Sequence, residues 1–392
     1  MIGNETPIWR LLRSAGGADD DIRAAIEEIG EAPAAALMAD EVASRCEPPP
    51  GGSSGIQPYP SGGSSGIRPD PPGGSFDIQL ELAGAGRSHP YVLSVSASGV
   101  TASAATAEDP AALIVYDLVA LARALYGTGV HGEARVEVNW PPAERLGEAI
   151  ASIHALARAV ESVLTACRSA ETNLDRLATR FGSDKYGTMH WYTPHYARYF
   201  SPLRDELVRV LEIGVGGYHD PASGGASLRM WQRYFRRGLV FGLDLFPKTG
   251  VQGPRIRTLA GDQGDPAALR ALAEEHGPFD IVIDDGSHMN AHVLVALREL
   301  FPHVRPGGLY VVEDVQTSYW PMFGGGRDVP GTTAEFAKTV IDGLNHREFA
   351  DPGHVPSYFD GHVVAAHFHH NLMVLEKGDN HEQAAPSWIP RR

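Results

Sequence analysis

The sequence has 392 residues, of which 43% are hydrophobic and 21% charged, enough for a substantial core and for two domains. A formal net charge of −15 argues against a protein that grips DNA or RNA through phosphates. The two cysteines, Cys46 and Cys167, are far apart and outside any CxxC pattern, which excludes a disulfide framework and a zinc knuckle and suits a reducing compartment.

No run of 18 apolar residues is present, and acidic residues stand early where a signal peptide would be basic and then apolar. A cytoplasmic protein with no membrane partner is therefore expected. Asp19, Asp20 and Asp21 open the stretch IRAAIEEIG, an acidic first turn closed by Gly30, and a second helix is predicted from about Pro33 to Arg45. Residues 48–75 repeat GGSSGIQP as GGSSGIRP within a Gly/Ser/Pro strip, which reads as an exposed flexible loop. FDIQLELAG and YVLSVSASGV alternate apolar and polar residues and form a predicted hairpin. Residues 111–126, apolar on most faces, read as a buried helix, and 143–167 as a long amphipathic one. The expected division is an N-terminal α+β auxiliary domain at 1–165 and a second domain at 166–392.

From about residue 170 short apolar strands alternate with helices. VRVLEIG, LVFGLDLF, IRTLAGD, FDIVIDDGSH and GGLYVVEDV each end in glycine or acidic residues. The alternation predicts an α/β fold with a parallel sheet whose ligands bind beyond the strand carboxyl ends. The C-terminal HVVAAHFHHNLMVLEKG predicts two more strands with a turn near residues 369–371. His367 and His369 would share one face and His370 the other, so these histidines are read as packing or pocket-wall residues.

The first strand end carries Glu212, Gly214, Gly216, Gly217 and Tyr218, but His219 breaks the GxGxxG dinucleotide fingerprint. Asp244 ends the second strand, where a carboxylate can accept both ribose hydroxyls. Asp262 and Gln263 follow the third, placed to meet an adenine. Together these ends describe a class I S-adenosylmethionine pocket. Asp284, Asp285 and His288 follow the fourth strand, and Glu313 and Asp314 the fifth. Carboxylates converging without thiolates suit a hard cation such as Mg²⁺, and His288 is placed to act as general base. Single acids at strand ends often cap the next helix, which explains the acidic pairs poorly. His288 and His292 stand at i, i+4 without the intervening Glu of a zinc helix, so His292 is expected on the helix surface or behind the site.

The stretches RFGSDKYGTMHWYTPHY, VLEIGVGGYHDPASGGASLRMWQRYF, GLDLF, GDQ, DIVIDDGSHMN and GGLYVVEDVQTSYW resemble the Mg²⁺-dependent O-methyltransferases that modify deoxysugars on macrolide-type antibiotics; the spinosyn rhamnose methyltransferases look similar. The resemblance covers about residues 172–390, more than half of the chain. It implies a Rossmann-like methyltransferase domain with an antiparallel C-terminal strand, and a homo-oligomer, often a tetramer. Carried over, Asp285, Glu313 and Asp314 would bind the metal, with His288 the base. Residues 212–218 and Ser227 would line the methionine and ribose side, and Asp285 would adjoin the cofactor. Ser183 and Asp184 would close over the cofactor, and His190, Trp191, Tyr192 and His195 would form a lid or substrate wall. The reaction implied is methylation of a sugar hydroxyl by S-adenosylmethionine. A catechol-type phenol as acceptor and a non-catalytic cofactor-binding protein are the alternatives.

Overall fold

A computed structural model describes residues 6–46, 75–96, 98–128, 134–140, 146–168, 172–187, 189–351, 353–382, 384–386 and 388–389. Of the Gly/Ser/Pro strip, residues 48–74 lie outside this set, and with them the loop expected there.

Three helices open the chain: α1 (Pro7–Ser14), α2 (Asp19–Ile29) and α3 (Glu31–Arg45). The Asp21 carboxylate accepts from the Ala18 backbone N–H at 2.7 Å, closing the start of α2. Strands β1 (Phe76–Ala83), β2 (Ser88–Ser96), β3 (Gly99–Ser103), β4 (Ala112–Asp117) and, after helix α4 (Leu118–Tyr126), β5 (Arg135–Val138) form a sheet of order β3-β2-β1-β4-β5. The β1–β2 hairpin is present, pairing Phe76 with Val95 and Leu80 with Tyr91.

The buried helix predicted over 111–126 is corrected. Its first half is β4, parallel to β1, with the alternating burial of a strand. Ile114, Val115 and Tyr116 favour the pleated sheet. The Asp117 carboxylate accepts from the Val119 and Ala120 backbone N–H groups, so the helix starts only there. An apolar run of this length does not by its period tell a strand from a helix. The long helix α5 (Leu146–Ala166) follows.

Helices α6 (Leu174–Phe181) and α7 (Thr193–Phe200) lead into the second sheet. Its elements are β6 (Leu207–Ile213), α8 (Ala226–Tyr234), β7 (Arg237–Asp244), β8 (Ile256–Ala260), α9 (Pro266–His276), β9 (Phe279–Asp284), α10 (Asn290–Leu300), β10 (Val304–Val312), α11 (Thr333–Gly343), α12 (Tyr358–His362), β11 (Val363–His369) and β12 (Leu372–Lys377). The order is β11-β12-β10-β9-β6-β7-β8. The five strands from β10 to β8 are parallel, and β12 runs antiparallel to β10 and to β11. This is the α/β sheet the sequence predicts. The order turns back between β6 and β9, which opens a crevice at their carboxyl ends.

One apolar cluster crosses from the N-terminal region into this sheet, joining Leu12, Leu125 and Val163 to Phe241 and Tyr310. On the other face Leu177, Tyr196, Phe200, Trp231 and Ile281 pack together, so α6, α7 and α8 are bound to the strands they flank. The strand ends therefore project from a close-packed base.

Candidate active site

A cavity of about 850 Å³ lies at the carboxyl ends of β6, β7, β8 and β9. It brings together Ser183, Asp184, Gly214, Gly216, Gly217, Tyr218, Ser227, Asp244, Asp262, Gln263, Asp285 and His288. Glu212 is the member of the expected cofactor set that does not line it. Glu212 is wholly buried; its carboxylate accepts from Trp231 Nε1 at 2.8 Å and hydrogen-bonds Ser227.

The glycine loop holds its shape for steric reasons. Gly214 has φ 93°, and a Cβ there would stand 2.0 Å from the carbonyl oxygen of Asp285. Gly217, at φ 73°, would place a Cβ 2.4 Å from Ser223 backbone atoms. Asp244 ties two loops, accepting from the Val215 backbone N–H at 3.0 Å and from that of Phe246 at 2.9 Å. The buried Lys248 ammonium donates to the carbonyls of Tyr218 and Asp220, clamping the loop from behind.

Gln263 lines the cavity, but its amide braces the end of β9. It donates to Asp284 Oδ1 at 2.7 Å and accepts from the Ser287 backbone N–H at 2.9 Å. Asp262 accepts from the Gly264 backbone N–H at 2.7 Å. His292 pairs its Nδ1 with the Ser287 hydroxyl at 3.0 Å and also lines the cavity.

Asp285, His288 and Asp314 form a group in which one ligand atom of each lies within 4.8 Å of the others. His288 Nε2 is 3.4 Å from Asp314 Oδ2. Asp314 Oδ1 accepts from Tyr192 OH at 2.8 Å and from Gln316 Nε2 at 3.0 Å, and His190 Nε2 stands 3.6 Å away. Neither Asp284 nor Asp314 caps a helix through its side chain. Both His288 and Asp314 are in the left-handed region, at φ 57° and 51°, a conformation that costs energy and gathers at functional sites.

Glu313, expected beside Asp285 and Asp314, is not in this convergent group. Its Oε1 takes hydrogen bonds from Lys185 Nζ at 2.7 Å and from the Tyr196 hydroxyl. Lys185, Tyr196 and Trp231 are the parts of the site that sequence reasoning missed, while Tyr192, expected in the aromatic wall, also reaches Asp314. Lys185 stands in the GSDK stretch, yet its partners Glu212, Asp285 and Glu313 lie on three distant strand ends, so nothing local announces it. Tyr196 does carry a signal: it stands at i, i+4 from Tyr192, the residue that caps the start of α7.

The electrostatics follow the geometry. Burial pushes the Glu313 carboxyl well up, the Asp285 charge adds to this, and Lys185 opposes it. Burial likewise raises Asp285 and Glu212 against the pull of Lys185. Asp284, enclosed beside them, is pushed up to about 7 by burial. Asp314 goes the other way. Burial works against its ionisation, but Gln316, Tyr192, His288 and His190 outweigh that and hold it below the ordinary range. Burial alone would depress the Lys185 ammonium; Asp285, Glu313 and Glu212 reverse this and hold it well above its ordinary value.

Of the aromatic wall, His190 stacks on Tyr192 with ring centroids 4.6 Å apart, and Trp191 stands 61% exposed beside them. His195 turns elsewhere and stacks on His369 at 3.8 Å. His369 bonds Tyr199 and His367 bonds Glu376, so both pack against neighbours.

The MycE methyltransferase N-terminal family profile matches residues 8–135. The chain is 41% identical to demethylmacrocin O-methyltransferase of Streptomyces fradiae, covering 98% of this chain and 95% of that one. It is 39% identical to mycinamicin VI 2″-O-methyltransferase of Micromonospora griseorubida over 99% and 95%. It is 42% identical to 8-demethyl-8-alpha-L-rhamnosyl tetracenomycin-C 2′-O-methyltransferase of Streptomyces olivaceus over 94% of each. The solved MycE methyltransferase in complex with Mg and SAH superposes with a TM-score of 0.84 at 38% identity, covering 99% of this chain and 96% of that one. With identities of this size running nearly end to end, the chain belongs to the family of sugar O-methyltransferases of macrolide and polyketide glycoside biosynthesis.

Proposed function

We propose that the enzyme uses S-adenosylmethionine and a divalent cation of the Mg²⁺ type to methylate a hydroxyl on a deoxysugar of a glycosylated natural product. The observation that carries this reading is the group Asp285, His288 and Asp314 at the edge of the cavity. Its carboxylate oxygens are hard donors and suit Mg²⁺, and the relative solved with Mg and SAH supports the same pair of ligands here. Asp285 and Asp314 would hold the cation, with Glu313 adjoining.

When bound, S-adenosylmethionine supplies an electrophilic methyl group and the cation supplies Lewis-acid stabilisation of developing negative charge on oxygen. The chain does the rest. The glycine loop would let the backbone approach the methionine moiety, with Ser183, Asp184, Tyr218 and Ser227 around it. Asp244 would hold the ribose and Asp262 the adenine end. His288, oriented by Asp314, takes the proton of the acceptor hydroxyl as that oxygen becomes a nucleophile. Holding both reactants in attack geometry supplies much of the acceleration.

The reading extends to two domains dividing near residue 165, to a homo-oligomer, a tetramer by resemblance, and to a cytoplasmic location. Two buried free cysteines suit a reducing compartment, and among the described residues no helix is long and apolar enough to cross a membrane.

The test is calorimetric titration with S-adenosylhomocysteine with and without Mg²⁺, followed by turnover on a glycosylated macrolide and on a catechol. One-to-one binding, turnover of the glycoside and its loss in EDTA are expected. No binding by folded protein, or turnover of the catechol alone, would overturn the reading.

A further inference from the structure

Lys185 is wholly buried, and its ammonium nitrogen meets three carboxylates at once. Asp285 Oδ2 and Glu313 Oε1 are each 2.7 Å away, and Glu212 Oε1 is 3.1 Å away. The carboxylates come from the ends of three adjacent strands, β6, β9 and β10, while the lysine comes from the segment between α6 and α7. The ammonium donates hydrogen bonds to Asp285 and Glu313 and forms an ion pair with Glu212. Each carboxylate is gripped by one oxygen only. The second oxygen of Glu212 is taken by Trp231, and Asp285 still reaches the group it forms with His288 and Asp314.

One ammonium thus serves three carboxyl groups, two of them buried, from three separate strand ends. Packing three carboxylates out of water with no cation at all would be costly. The same lysine also fixes the wall of the site. Its carbonyl accepts from the Tyr192 and Thr193 backbone N–H groups at 3.0 and 3.2 Å, tying the segment that carries Trp191 to the strand ends.

We propose that Lys185 is a positioning residue for the candidate cation centre, a resident ammonium that holds Asp285 and Glu313 assembled before any divalent ion arrives. The proposal rests on the reading of that centre given above. It predicts that the fold does not need the metal so long as Lys185 is present, and comes to need it when Lys185 is removed.

The experiment compares thermal unfolding of the full-length protein and of Lys185→Met in EDTA and in saturating Mg²⁺, with Mg²⁺ calorimetry on both. The wild type is expected to unfold cooperatively in EDTA and to gain only modestly from Mg²⁺. Lys185→Met should lose roughly 10 °C in EDTA and recover at least half of that loss in Mg²⁺. A purely structural lysine would give the same loss in both conditions, and that result would overturn the proposal. Should Lys185→Met fail to fold in either condition, the charge-compensated Lys185→Met/Glu313→Gln variant decides. Cooperative folding of this variant in EDTA supports the proposal, and failure to fold sinks it. Calorimetry separates the two levels of inference. If the wild type shows no Mg²⁺ binding, the cation centre falls and the proposal with it. If Mg²⁺ binds but Lys185→Met loses stability equally in EDTA and Mg²⁺, only the role of Lys185 falls.

Discussion

Arg255 and Glu41 meet across the seam between the N-terminal helices and the methyltransferase sheet, both wholly buried, with Nη2 2.7 Å from Oε1. Arg255 also donates to the carbonyls of Gln232, Phe235 and Gly238, while Arg45 Nε reaches Glu41 Oε1 at 2.7 Å. One carboxylate of α3 thus holds a guanidinium on its own helix and one from the sheet. Removing it strands two buried cations. Glu41→Gln is expected to cost roughly 3–5 kcal/mol of stability, read as a lowered urea midpoint with an unchanged slope.

The same contact makes the protein sensitive to acid. Burial would raise the Glu41 carboxyl, but Arg255 and Arg45 outweigh it and lower the pKa from the ordinary 4.5 to about 2. A carboxyl depressed on folding contributes stability above its unfolded pKa and loses it as pH falls through the folded value. The contribution, on the order of 3 kcal/mol, is thus complete above about pH 5 and fades towards pH 2. Stability curves of wild type and Glu41→Gln measured between pH 7 and pH 3 should converge as pH falls; parallel curves would contradict the assignment.

The second sheet was legible from residue order alone because each parallel strand announces itself twice, as an apolar run and as a polar terminus. VRVLEIG and FDIVIDDGSH state both the strand and the site that it carries. The strand β4 was not legible. Buried residues of a parallel strand show the same unbroken apolarity as a buried helix, and only the cap at Asp117 distinguishes them. Within the site, the convergence of Asp285, His288 and Asp314 could be read from adjacent strand ends. The Lys185 cluster could not. Its four charged members lie 27, 100 and 128 residues from one another in sequence when counted from the lysine, and only the fold brings them together.

Two glycines of the loop after β6 should respond differently to alanine. Gly214→Ala meets a backbone carbonyl, a contact that no side-chain rotation relieves. Gly216 has φ 76° with its nearest neighbour 4.0 Å from an added Cβ, so the strain there is conformational alone. Gly216→Ala should cost about 1–2 kcal/mol of stability and still bind S-adenosylhomocysteine. Gly214→Ala should lose that binding at least tenfold. Calorimetry on the two folded variants checks the order.

For His288, one variant can separate the proposed role as base from a role as ligand of the cation. Its left-handed backbone is better tolerated by Asn than by Ala, so His288→Asn is the cleaner substitution. As the general base its loss should lower turnover by roughly 10²–10⁴-fold while Mg²⁺ and S-adenosylhomocysteine bind as before. A Mg²⁺ affinity that falls in step with turnover would instead make the imidazole a ligand of the cation.

Large apolar side chains stand exposed on the two segments that flank Asp314. Trp191 is 61% exposed, Trp320 46%, Met189 69% and Met322 79%, and large apolar side chains exposed together mark places where something else binds. Their position ties them to the chemistry. Trp191 stands between His190 and Tyr192, which both approach Asp314. Trp320 ends the short 3-10 helix that begins just after Asp314. A sugar hydroxyl at His288 would leave the apolar body of a glycosylated acceptor over this surface. Burying one indole there contributes about 1.5–3 kcal/mol, so Trp191→Ala or Trp320→Ala should raise the acceptor KM by roughly 10- to 100-fold. The affinity for S-adenosylhomocysteine should not change, because neither tryptophan lines the cofactor cavity. Steady-state kinetics with the acceptor varied at saturating S-adenosylmethionine distinguishes this from a general loss of fold, which would lower kcat and cofactor affinity together.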